Sequence, residues 1–300
     1  MWMDATITAS PPEPDPSDRR QGPEGSGARA WHASLELAFE RRGTRTVLTS
    51  DRHTGPLLVQ KTLHPEGDQP CHAIVLHPPA GIAGGDQLVV EAGVGPLAQA
   101  LLTTPGATKW YRSSGVAAGS NTLLRVADQA VLEYLPREAI VFDGARADVR
   151  LEMDVGTGAR LIGWDLWCLG RTASGETFRD GRLRLVTRLR RNGRLCWEER
   201  GAFDGGSPLL QSAAGFAGQP VFGTLWAAGP DAPRAIIDAC RAAPLAAASH
   251  GAVTQLPELL LARYLGPSTE EAFAWFTALW SLLRPVYAGR DAVRPRIWSV

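Results

Sequence analysis

Lysine is almost missing from this chain. Of 31 basic side chains in 300 residues only Lys61 and Lys109 are lysines, which leaves few groups for Schiff-base or phosphate-cradling chemistry. Net charge is missing as well. The 31 basic groups meet 31 acidic ones, so no field exists to hold nucleic-acid backbones or anionic lipid, and neither nucleic acid nor a membrane is an expected partner. The four cysteines, Cys71, Cys168, Cys196 and Cys240, include no Cys-x-x-Cys pair. That excludes a zinc knuckle and a thioredoxin-like site, and the thiols read as reduced. No run of about twenty apolar residues occurs, and no basic start is followed by an apolar stretch. A soluble cytoplasmic chain is expected. Enzyme signatures are absent too: the glycine loops fit neither phosphate-binding pattern, and no Gly-x-Ser-x-Gly elbow or His-Glu-x-x-His pair is present.

Residues 1–29 are rich in Pro, Asp, Gly and Ser with little that is apolar, so they cannot offset the entropy of ordering and read as a disordered tail. Residues 30–300 read as one domain. From Trp31 to about Leu225 short alternating segments are punctuated by Gly, Pro, Asn and Asp, which predicts a mainly β body of layered, mostly antiparallel strands. A repeat runs through it. Val94, Val126 and Val155 are each followed four residues later by Ala98, Ala130 and Ala159, roughly thirty residues apart, implying stacked strand-turn-strand layers. Between Arg182 and Arg200 a hairpin is expected, with Leu183, Leu185, Thr187 and Leu189 on one face and Arg182, Arg184, Arg188 and Arg190 on the other. A three-residue loop with Gly193 left-handed would match Leu189 with Leu195 and Thr187 with Trp197, so apolar meets apolar. The arginine row reads as a solvated face rather than a docking one.

The last quarter changes period. Helices are predicted at 231–242, 257–265 and 268–284, the last with a capping box from Ser268 to Glu271, a core-facing row of Phe273, Phe276, Trp280 and Leu283, and a stop at Pro285. Residues 285–300, with an exposed-looking Arg296-Ile-Trp298, read as a docking tail in which Arg290, Arg296 and Trp298 are the partner-binding candidates.

Two constellations could carry chemistry. Histidines and cysteine crowd at His53, His64, Cys71, His72 and His77, but strand alternation sends Cys71 and His72 to opposite faces, so satisfied histidines are favoured over a fixed metal site. Carboxylates sit in turn contexts: Glu66, Asp86, Glu138, Asp143, Asp165 and Glu176. They suit glycosidase-type acid/base work, a path for a hard or borderline cation, or pairing with Arg137, Arg146 or Arg171. The loop from His77 to Asp86 has prolines at 78 and 79 and glycines at 81, 84 and 85, so it is built to hold a shape.

Taken together, Leu57-Leu-Val-Gln60, His64-Pro-Glu-Gly67, Cys71-His72, His77-Pro-Pro-Ala-Gly-Ile-Ala-Gly-Gly-Asp86, Thr103-Thr-Pro-Gly-Ala-Thr-Lys-Trp-Tyr-Arg112, Leu135-Pro-Arg-Glu-Ala-Ile-Val-Phe-Asp-Gly144, Leu169-Gly-Arg-Thr-Ala-Ser-Gly-Glu176 and the ending Leu283-Arg-Pro285, Gly289-Arg290, Pro295-Arg-Ile-Trp298 resemble the UreD (UreH) family of urease accessory proteins. The resemblance runs from about Trp31 to the end. It implies a non-catalytic scaffold that complexes with UreF and UreG, contacts apo-urease subunits and passes nickel through an internal channel, with transient nickel and no tightly bound cofactor. Asp86, Glu138, Asp143 and Glu176 are the implied lining of that path. Ala80 stands where the family usually has a second glycine; a need for positive φ there would strain the loop by roughly 1 kcal/mol, and the position is read instead as one that tolerates a Cβ. The competing expectation from the carboxylates is a carboxylate-dependent hydrolase on a β scaffold, which needs two unpaired carboxyls in one open cleft.

Overall fold

In a computed structural model the described residues are 30–299; the segment 1–29, expected to be a disordered tail, lies outside them. Along the chain the strands are β1 His32–Arg42, β2 Arg45–Thr54, β3 Leu58–Leu63, β4 Cys71–Leu76, β5 Gln87–Val94, β6 Gln99–Thr103, β7 Thr108–Trp110, β8 Ala118–Val126, β9 Val131–Leu135, β10 Ala139–Val141, β11 Arg146–Val155, β12 Arg160–Leu169, β13 Arg182–Arg191, β14 Arg194–Asp204, β15 Val221–Ala228, β16 His250–Leu256 and β17 Leu259–Gly266. The helices are α1 Pro208–Gln211, α2 Arg234–Arg241 and α3 Thr269–Tyr287. One sheet orders its strands β14-β13-β11-β8-β5-β1-β2. The larger one runs β16-β17-β15-β12-β9-β6-β4-β3, with β10 and β7 joined at β12. No helix among the described residues is long and apolar enough to cross a membrane.

The valine-alanine repeat builds the centre. Val94, Val126 and Val155 are register partners on β5, β8 and β11. Four residues on, Ala98, Ala130 and Ala159 lead into β6, β9 and β12, at corners so closed that only a methyl group fits; their exposures are 0%, 0% and 1%. Each corner is a turn closed by the alanine N–H on the carbonyl three residues back, at Gly95, Ala127 and Gly156. Its third residue, Leu97, Gln129 or Gly158, has φ of 62°, 59° or 66°. Each unit therefore lays one strand in each sheet, and successive units stack like coils of a solenoid.

That stacking corrects the expectation of mostly antiparallel layers. β1, β5, β8, β11 and β13 pair in parallel in one sheet, as do β4, β6, β9 and β12 in the other. A chain that leaves a sheet, crosses to its partner and returns arrives pointing the same way. Antiparallel pairing is left to the margins, at β1/β2, β3/β4, β13/β14, β12/β15, β15/β17 and β16/β17.

The β13/β14 hairpin also differs from its expected register. Asn192 and Gly193 form a two-residue turn, with φ of 50° and 75°, and Arg190 faces Leu195. A bulge just beyond then sets Leu189 against Trp197 and Thr187 against Glu199. The apolar match is restored by the extra residue in β14 and not by loop length. The arginine row is solvated and ion-paired, Arg188 reaching Glu152 at 3.1 Å and Glu198 at 2.5 Å.

Segment 257–265, expected helical, is strand β17, lying between β15 and β16. A short apolar run buried on both faces carries no period by which helix and strand differ. The other two helices form. In α3 the Ser268 Oγ accepts the Glu271 N–H at 3.3 Å, while the Glu271 carboxylate turns to Ser249, so half of the capping box is made. Pro285 does not stop α3, which continues to Tyr287; in the last turn the ring costs one backbone bond, offset by burial of Tyr287.

Two cores result. One fills the space between the sheets. The other lies on the outer face of the larger sheet, where Phe273, Phe276, Trp280 and Leu283 of α3 pack on Trp164 and its neighbours.

Candidate functional site: two cavities that share a half-buried carboxylate

Side chains on β12 alternate between the two cores. Ile162, Trp164, Leu166 and Cys168 join the outer one, Leu161, Trp167 and Leu169 the inner. Asp165 therefore points between the sheets. There it lines two cavities, of about 350 and 430 Å³, which share Asp165, Leu185 and Thr187 as common wall.

The first cavity is mainly apolar, with polar atoms set into it. His77 Nε2, Trp110 Nε1 and Trp167 Nε1 are buried on its wall with no hydrogen-bond partner among the described residues. Burial pulls the His77 imidazole below its ordinary value, Asp86 opposing, and pushes the Tyr134 phenol up to about 12. Orphaned buried groups are costly, so these walls are suited to water or a polar solute. The second cavity carries His250 and the ion pair of Glu199 with Arg263.

Asp165 is the acid common to both. Its Oδ1 accepts the Thr224 N–H at 3.0 Å, and the Trp167 indole leans toward it without closing a full hydrogen bond. No ion pair reaches it among the described residues. Burial pushes its carboxyl up to about 7, against the pull of Thr224, Trp167 and the more distant Arg263. It was visible in the sequence only as one of six carboxylates; the signal that singles it out is a lone acid in the apolar run Leu161-Ile-Gly-Trp-Asp-Leu-Trp167.

The four carboxylates expected to line a path are placed otherwise, and none borders either cavity. Asp86, 3% exposed, staples its loop, Oδ1 accepting the Trp31 N–H at 2.7 Å and Oδ2 the Ala83 N–H at 2.8 Å. Glu138 has Arg137 Nε at 3.3 Å from Oε2, at an angle that leaves this oxygen without a hydrogen bond. Asp143 and Glu176 are brought together. Asp143 Oδ1 accepts the N–H groups of Arg179 and Asp180, and Oδ2 meets Arg112. Glu176 Oε1 accepts the Asp143 and Arg171 N–H groups while Oε2 takes the Arg171 guanidinium at 2.7 Å. Arg171 holds the Glu176 carboxyl down to about 2, and the Asp180 N–H leads in holding Asp143 low. The pair latches two loops together.

The proline-glycine loop brings His77, Ala80 and Ile82 to the first cavity. Ala80 does not sit in an ordinary conformation: its φ is 61°, which costs about 1 kcal/mol in an L-residue. Gly81 is required for space, since a Cβ there would lie 2.1 Å from the Tyr111 ring.

On the outer face a buried carboxylate, Glu133, is fully partnered. Arg284, 0% exposed, reaches Glu133 at 2.9 Å and Glu66 at 2.7 Å. Trp280 Nε1 donates to Glu133 at 2.7 Å, and His72 Nε2 meets Glu66 at 2.9 Å. The Glu66 carboxyl is held down to about 2: burial opposes this, and the His72 and Arg284 hydrogen bonds outweigh it. Arg284 and Glu133 were missed from sequence because each reads as an ordinary polar interruption.

In the tail, Trp298 is not exposed. It is 8% exposed, packs on Phe273 at 5.0 Å and donates to Thr103. Arg290 is half-buried, bonded to Gln69 O and to Gln99 at 2.8 Å. Arg296 alone of the three is on the surface. Of the histidines, His64 accounts for both nitrogens with Thr46 and Arg45. Among the described residues no group of three His, Cys, Asp or Glu stands ready to hold a metal ion.

With this geometry in place, the sequence matches the family described as UreD urease accessory protein over residues 32–299. It is 50% identical over 301 aligned residues to the urease accessory protein UreD of Dechloromonas aromatica (strain RCB), covering 99% of this chain and 100% of that protein. It is 52% identical to the protein of that name from Azoarcus sp. (strain BH72), over 89% of this chain and 94% of the relative. The Pseudomonas aeruginosa (strain PAO1) relative is 47% identical, over 90% and 95%.

Proposed function

Because the chain belongs to the UreD family of urease accessory proteins, we propose that it is a non-catalytic scaffold of urease maturation. It binds UreF and, through UreF, the GTPase UreG, meets the apo-urease subunits in the cytoplasm, and passes nickel to them without retaining any. The observation that carries this reading is the family match along the whole described body, walls of both cavities included. One feature of the interior supports it. The cavities offer orphaned polar atoms and one shared carboxylate, a furnishing for a polar solute in passage. A cargo ion must be held weakly enough to leave.

The carboxylates of the turns serve this role as braces. Asp86 fixes the loop that carries His77 and Ala80, and the Asp143–Glu176 latch fixes the loops beside β10. The hydrolase reading lacks its two free acids: of the cavity carboxylates Glu199 is paired with Arg263, which leaves Asp165 alone.

Deleting the gene is expected to leave urease apoprotein abundant but nearly nickel-free, measured by metal analysis of the purified enzyme; full nickel loading in the deletion strain refutes the scaffold. Arg296→Glu is expected to weaken co-purification with UreF by about tenfold, the scale of a lost charge-assisted contact. Unchanged recovery removes the tail from the interface. Truncating the tail cannot make this test, because Trp298 and Tyr287 belong to the outer core.

A further inference from the structure

The smaller sheet has one bare face. Its strands β1, β5, β8, β11 and β13 run parallel, and parallel sheets are usually covered on both sides. Here α2 and α3 both pack on the larger sheet, and neither reaches the outer side of the smaller one. That side is basic where β11 and β13 begin. Ala147 and Leu151 turn into the core, so Arg146, Asp148 and Arg150 turn outward by strand alternation. On β13 the register sets Arg182 beside Arg146 and Arg184 beside Asp148. Arg182 is answered by Asp204, and Arg184 by Asp148 at 3.8 Å. Arg146 and Arg150 are exposed and form no ion pair among the described residues, and like charges side by side, as Arg146 and Arg182 are, repel.

An occupant that fits is carried by the same chain. Residues 1–18 hold Asp4, Glu13, Asp15 and Asp18 and no arginine or lysine, and Glu13 and Asp15 are set between Pro12, Pro14 and Pro16. The stretch lies outside the described residues, but the strand it leads into does not. In β1, His32 shares one register row with Gln87, Gly119, Asp148 and Arg184, because parallel strands all begin at one end. β1 is three strand spacings from β11 and four from β13, about 14 and 19 Å. The chain from Asp18 to His32 can extend roughly 46 Å, so reach is not limiting, and so short a tether gives an effective concentration near the millimolar range. Along a polyproline course Glu13 and Asp15 would stand about 6 Å apart. That is close to the interval between alternate residues of a strand, such as Arg182 and Arg184.

We propose that the acidic, proline-rich segment 4–18 docks across the starts of β11 and β13, its carboxylates on Arg146 and Arg150 and between Arg146 and Arg182, and so covers the basic end of the bare face. The chain then carries its own competitor for that surface: an acidic partner must displace the segment to bind there. Exposed ion pairs are individually weak, so docking depends on their number and on the tether, and salt undoes it. The inference goes beyond the scaffold reading and stands without it.

The test puts an amine on the face. Only Lys61 and Lys109 are lysines, so a carbodiimide, which joins carboxylates to amines, meets a low background. Arg146→Lys, and separately Arg150→Lys, keep the charge and are made in the full-length chain as it purifies from the cell. Isotope-labelled and unlabelled chains are mixed, treated, and mapped by mass spectrometry. Links from position 146 or 150 to Glu13, Asp15 or Asp18 within one chain are expected. They should fall about tenfold when Arg182→Gln and Arg184→Gln are added, the scale of two or three exposed ion pairs, and fall likewise in roughly 0.5 M salt. A link from position 146 to its neighbour Asp148 or Asp204 reports that the amine reacts. That internal link without links to the segment overturns the proposal. So do links that join labelled to unlabelled chains or reach another protein, which put a different occupant on the face. Links unchanged by the two glutamines or by salt overturn it as well, because charge would then not be what holds the segment.

Discussion

Glu133 and Asp165 lie on adjacent strands of one sheet, β9 and β12, and both are acids inside the protein, yet they stand on opposite faces and in opposite conditions. Glu133 faces α3 and is enclosed by Arg284 and Trp280. Asp165 faces the opposing sheet and meets two cavities and a single backbone N–H. The first arrangement binds a helix to a sheet with every charge answered. The second leaves Asp165 with one backbone N–H and no ion pair among the described residues.

The largest expected effect comes from breaking the satisfied side. Arg284→Met leaves Glu66 and Glu133 without their shared cation and is expected to cost about 3–5 kcal/mol, as for other buried pairs that lose one partner. Urea unfolding measures it, and a cost below about 1 kcal/mol would show that the network carries little. A smaller effect of opposite sign is expected on the other face. The Asp165 carboxyl rises from 3.8 to about 7, so the folded chain keeps a proton that the unfolded chain releases. Its contribution is thus fully present below the lower value and is lost as pH climbs to about 7. Asp165→Asn removes that loss and should stabilise the protein by on the order of 2–4 kcal/mol at pH 8 and by little at pH 4. A constant difference across this range would contradict the buried, unpaired placement.

Glu66 runs the other way. Its carboxyl falls from 4.5 to about 2, so its stabilisation holds above the upper value and is lost as acid takes the pH toward the lower one. Acid unfolding then reports the outer network and mild alkali the inner carboxylate. The smallest effect sharpens the comparison further: Trp280→Phe keeps the packing but removes the N–H that serves Glu133, at a cost of about 1–2 kcal/mol, and should leave urease nickel loading unchanged.

Several parts of this architecture were legible along the chain. The Val94, Val126 and Val155 repeat announced stacked units, and the run from Phe273 to Leu283 announced the face of α3. Strand direction was not legible, because parallel and antiparallel strands share the same alternation and only the route between sheets decides. β17 was hidden for a similar reason, its apolar run having no period. The hairpin turned on Asn192-Gly193, a legible two-residue turn, but the bulge that corrected its register depended on what Leu189 could face. Of the site, Asp165 stood in view among six carboxylates, set apart along the chain only by the apolar run Leu161 to Trp167 around it.

The sequence by itself determined the balance of charge, the mainly β body, the coil repeat, the shaped loop from His77 to Asp86 and, through the order of its motifs, the family. These depend on composition, periodicity and local backbone chemistry, which act between neighbours. Tertiary structure decided which acids are answered. Arg284 stands 151 residues from Glu133 and 218 from Glu66, and no local rule brings them together. The same packing that satisfied those two carboxylates placed Asp165 where two cavities meet, with one oxygen left over.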